Sequence, residues 1–73
     1  MIDDTRLTLL TFDHYRLRKP KMFKEMSKDG TLWETIDAKV KFCRSQIETL
    51  VKQGMTDIEA SSFVVDSVIY EKD

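Results

Sequence analysis

An all-α fold, a small set of three to four bundled helices around one long central helix, is predicted by three observations. Apolar residues recur at alternating spacings of three and four through the middle of the chain, glycine-then-threonine punctuation occurs twice, and the composition suits folded helices. The chain has 73 residues, 34% of them charged and 41% hydrophobic, with two Gly and one Pro. Such a length makes one domain, residues 1–73, and buries only about 60% of the surface that its unfolded form exposes. Self-association is the expected aid to stability. The single Cys43 excludes an internal disulfide, and one Cys with one His14 cannot assemble a four-ligand zinc site within the chain.

The first helix is expected over residues 4–18. "RLTLLTF" alternates partly at period two, as a strand does, so residues 5–12 read either way by pattern. Leu7, Leu10, His14 and Leu17 keep helical spacing, and a lone strand would find no partner in this chain. Asp3-Asp4 then supplies the N-terminal cap. Pro20 opens a short second helix, where its missing amide hydrogen costs nothing, with Met22, Phe23 and Met26 as the inner face.

The long helix is expected at about 31–53. Trp33, Ile36, Val40, Cys43, Ile47 and Leu50 draw its apolar stripe, and Asp37–Lys41 and Glu48–Lys52 form i,i+4 pairs on its wet side. Thr31-x-x-Glu34 and Thr56-x-x-Glu59 both have capping-box form, each just after a glycine, Gly30 or Gly54, suited to ending the preceding helix. Met55 and Ala60 are placed as a hydrophobic staple. In the last helix Ala60, Phe63, Val64, Ser67 and Val68 are expected inside, and Ile58, Val65 and Ile69 form a second apolar line. Phe42 lies off the central stripe. Either a flanking helix covers it, or it joins Val65 and Ile69 in an interface with another subunit or partner.

Charge is segregated. Arg16, Arg18, Lys19, Lys21, Lys24 and Lys28 against Glu25 give residues 14–28 a charge of +5, while residues 1–13 carry −2 and residues 29–73 carry −4. Cations near the C-terminus of the first helix favour its dipole, but Lys21 sits at the start of the next, where a cation is unfavourable. The patch is either solvated structure or a surface for an acidic protein or for phosphates. A pI near 5.8 weighs against nucleic acid, which usually demands a basic domain.

Catalytic signatures are absent from the sequence: no glycine-rich phosphate loop, HExxH, CxxC or nucleophile elbow. Neighbouring helix positions diverge by about 100°, so Asp13-His14 is no acid–base couple. Cys43 on the apolar stripe reads as an inert thiol. A non-enzyme with no cofactor follows. The N-terminus has no basic leader, and no apolar run approaches a membrane span, so a cytoplasmic protein is expected.

Tyr15, Leu17, Pro20, Phe23, Gly30, Leu32, Leu50, Val51, Gly54 and Thr56 together resemble the pattern of small TnpV-type proteins encoded on bacterial transposons. What the resemblance implies is a setting: an accessory protein of a mobile element or phage. The expected function is binding of another protein, as an inhibitor or regulator of a host defence system. An oligomer that sequesters a phosphate-bearing nucleotide is the alternative, and nucleic-acid binding a further one. Here Arg16, Arg18, Lys19, Lys21 and Lys24 would be the binding residues.

Overall fold

The computed structural model describes residues 2–70, and among them the chain is all-α, with four helices and no strand. Helix α1 spans Asp4–Arg18, α2 Pro20–Asp29, α3 Leu32–Lys52 and α4 Asp57–Val64, the last running on into a π turn at Val65–Ile69. The choice of helix over strand for residues 5–12 is thereby decided.

Asp3 begins α1 by accepting the Arg6 backbone N–H at 2.8 Å. The line that α1 buries is Leu7, Thr11 and Tyr15, with His14 half-buried and Leu17 exposed, which corrects the expected Leu7-to-Leu17 stripe. A threonine is tolerated inside because its Oγ1 donates to the Leu7 carbonyl at 2.8 Å, which satisfies its buried hydroxyl. Pro20 is the first residue of α2, which buries Met26 and half-buries Phe23. Gly30, at φ 83°, ends α2 in the left-handed region and passes its N–H to the Met26 carbonyl at 3.0 Å.

The two capping boxes have different fates. Thr56 lies at φ −71°, ψ 159°, its Oγ1 accepts the Glu59 N–H at 3.1 Å, and the Glu59 carboxylate reaches back to the Thr56 N–H. The Thr31 box does not form. Thr31 lies at φ −97°, ψ 0°, outside the extended region that aims a cap side chain at the third helical amide. Its hydroxyl and its N–H both donate instead to Asp29 Oδ1, at 2.7 and 3.1 Å. A local side-chain turn has displaced the cap. Thr56→Ala is therefore expected to cost about 1 kcal/mol, or about 4–8 °C in thermal melts, and Thr31→Ala much less; equal losses in circular-dichroism melts would contradict this assignment.

Helix α3 is the element that every other helix touches. Its buried line is Leu32, Ile36, Val40, Cys43 and Ile47, so the stripe begins one residue before the expected Trp33, which is 61% exposed. Trp33 lies instead on the flank facing α1, where its ring stacks on Phe12 at 5.5 Å and 12°, with Phe23 edge-on to Phe12 at 5.2 Å. Near the other end Arg44 donates to Asp4 Oδ1 at 2.9 Å and also to the Ile2 carbonyl. With Asp4 beside Arg44 and Phe12 beside Trp33, α1 and α3 run antiparallel. The Asp37–Lys41 pair forms at 2.9 Å on the exposed side, as its spacing predicts.

Gly54, at φ 107°, reverses the chain after α3, and the Met55 N–H bonds back to the Leu50 carbonyl at 3.1 Å in the six-to-one manner of a Schellman turn. Ala60 and Val64 of α4 are buried. Phe63, expected inside, is 56% exposed, and Ser67 is exposed too. The π turn explains the remainder: the Tyr70 N–H reaches the Val65 carbonyl five residues back at 2.9 Å. That extra residue per turn brings Ile69, rather than Val68, into the core.

Candidate interaction surface

The cations of residues 16–28 gather at the junction of α1 and α2 but do not form one uniform patch. Arg16 and Arg18 are two positions apart on α1 and therefore point about 200° apart around its axis. Arg16 is drawn to Asp13 at 3.5 Å, an exposed pair of little energetic weight. Lys19 is the half-buried link between helices: its N–H donates to the Tyr15 carbonyl and its own carbonyl accepts the Phe23 N–H, at 3.0 and 2.9 Å. Lys21 and Lys24 are exposed on α2. Lys28 is exposed on the same face, although the expected binding residues stop at Lys24. Its spacing, seven from Lys21 and four from Lys24, is the signal in the sequence that finds it.

Apolar groups border this junction. Leu17 and Met22 are exposed, and the Trp33 ring closes the Phe12–Phe23 cluster on its outer side. Acidic groups collect at the far end of α1. Asp3 and Asp4 lie there, held by Asp4 to Arg44 in the second half of α3. The tight turn at Gly54 leads from the end of that helix directly to Asp57 and Glu59 in the first turn of α4.

The expected interface residues separate. Phe42 is 49% exposed and belongs to no buried cluster, so among the described residues no flanking helix covers it. Val65 is half-buried against the core. Ile69 is only 1% exposed, which corrects its assignment to an interface: the π turn has used it as a core residue.

Cys43 is buried, and desolvation raises its thiol pKa despite the opposing pull of Lys39, so it is a thiol and not a nucleophilic thiolate at neutral pH. Asp13 faces Arg16, and the ring of His14 packs against Tyr70 with centroids 5.5 Å apart. Among the described residues no group of three or more His, Cys, Asp or Glu is placed to hold a metal ion, and no helix is long and apolar enough to cross a membrane. Compared with family models, curated proteins and solved structures, the chain matches none.

Proposed function

We propose that this chain is a small non-enzymatic accessory protein that acts by binding another protein, in the mobile-element or phage setting that the TnpV-type resemblance implies. In that setting it would serve as an inhibitor or regulator of a host defence system, in the cytoplasm. The observation that supports the reading is the cationic junction between α1 and α2. Arg18, Lys21 and Lys24 stand exposed there, paired with no carboxylate of the described residues, beside the exposed apolar Leu17 and Met22. Such a surface complements an acidic protein face, and complementarity of this kind chiefly governs association rate and partner choice. The finer architecture belongs to the same proposal: a helical bundle that self-associates through the apolar side chains of α3 and α4 left outside, among them Phe42 and Ile58, the latter 82% exposed.

Reversing Arg16, Arg18 and Lys19 to Glu is expected to reduce recovery of a stoichiometric copurifying protein at least tenfold, with the helical circular-dichroism spectrum retained. Unchanged recovery would remove the junction from the function. A thermal-shift series with nucleotides tests the alternative, since a true ligand at 100 times its Kd adds about 2.7 kcal/mol of stability. Light scattering of the purified chain reports the oligomeric state.

A further inference from the structure

Lys21, Lys24 and Lys28 occupy one face of α2, opposite the Phe23–Met26 side that turns to the core. At about 100° per residue the three fall within a sector of about 60°, at axial intervals of about 4.5 and 6 Å. Of the three only Lys28, in the last turn of α2, is placed to favour the helix dipole. Lys21 is the second residue of α2, where a cation opposes the helix dipole. Lys21 with Lys24 and Lys24 with Lys28 are like charges at i,i+3 and i,i+4, which repel. Glu25 lies beside the row, yet among the described residues no carboxylate comes within ion-pair distance of any of the three ammoniums.

We infer that this lysine row receives an acidic helical segment of a protein partner, carrying carboxylates at i, i+3 or i+4, and i+7 and lying along α2. The inference rests on the protein-binding reading above and names the partner's chemistry. Helical spacing in the partner repeats the intervals of the row, whereas carboxylates on alternate residues of a strand are about 6.6–6.8 Å apart and drift out of register. The extent of the row also suits a helix face better than a nucleic acid. Three ammoniums span two helical turns, and the chain outside residues 14–28 carries −6, which repels an extended polyanion.

Two helical peptides of identical composition and no tryptophan test this, one with three Glu along a single face and the other with them spread around the axis. Binding to the full chain is followed by the fluorescence of Trp33, its sole tryptophan. The one-faced peptide is expected to bind at least tenfold more tightly at low salt. The Lys21→Gln, Lys24→Gln, Lys28→Gln triple variant is expected to lose that preference without a lower melting temperature, since the row is self-repulsive. Equal affinity for the two peptides, or tighter binding of a single-stranded oligonucleotide of the same charge, overturns the inference. Capture of the copurifying protein lost on reversal of Arg16, Arg18 and Lys19 but kept in the Gln triple overturns the row and leaves the junction standing. Capture unchanged in both overturns the protein-binding reading itself.

Discussion

Ile47→Ala is expected to remove about 2–5 kcal/mol of stability, the range for deleting a fully buried isoleucine where neighbours cannot collapse into the void. Ile47 is wholly buried, in line with Cys43, Val40 and Ile36 on the helix that all the others contact. Because α3 is held by every other helix, none is free to shift far into a cavity left on its buried side. For a chain of this size total stability is on the order of 4–11 kcal/mol. The loss is therefore a large share of the whole, and urea titration followed by circular dichroism should show the midpoint fall sharply or the folded baseline vanish. A change below about 1 kcal/mol would place Ile47 outside the core.

Ile69→Ala is expected to cost about 2 kcal/mol or more, and Val68→Ala less than about 1 kcal/mol. An uninterrupted α-helix would tend to reverse that order. Continuing the four-residue step from Ala60 to Val64 puts Val68 over the core; the five-residue step of the π turn puts Ile69 there. The π turn that carries the buried Ile69 contacts α1 and α3, so its truncation loosens packing between distant parts of the sequence. Paired thermal melts of the two variants decide the register, and the larger loss in Val68→Ala would mean that α4 continues as an ordinary helix.

Elements with their own local chemistry were legible in the sequence. Asp3, Pro20, Gly30, Gly54 and the Thr56–Glu59 box act within four residues of themselves, and each stands where its residue type predicts. The Thr31 box has the same letters and fails, because Asp29, two residues earlier, offers the hydroxyl and the amide a nearer acceptor. Periodicity gave the number and the spans of the helices but not the exact buried line. In α3 Leu32 and Trp33 are both apolar neighbours, and which one turns inward depends on Phe12 of another helix, which offers Trp33 a stacking partner at the edge.

The cationic cluster was legible as charge but not as geometry. Six cations within thirteen positions read as one patch, whereas the helix axes separate Arg16 from Arg18, tie the Lys19 backbone into the link, and align Lys21, Lys24 and Lys28. By itself, the sequence determined a helical chain from Pro20 onward with most of its helix ends, its charge segregation and its buried, unreactive Cys43, because these follow from local hydrogen bonding, side-chain spacing and composition. Only the tertiary structure decided that Arg44 ties down the start of the chain, that Trp33, Phe42 and Phe63 stay outside, and that Ile69 goes in. Those outcomes depend on contacts between residues far apart in the sequence and on one extra residue in a single helical turn, neither of which a helical period records.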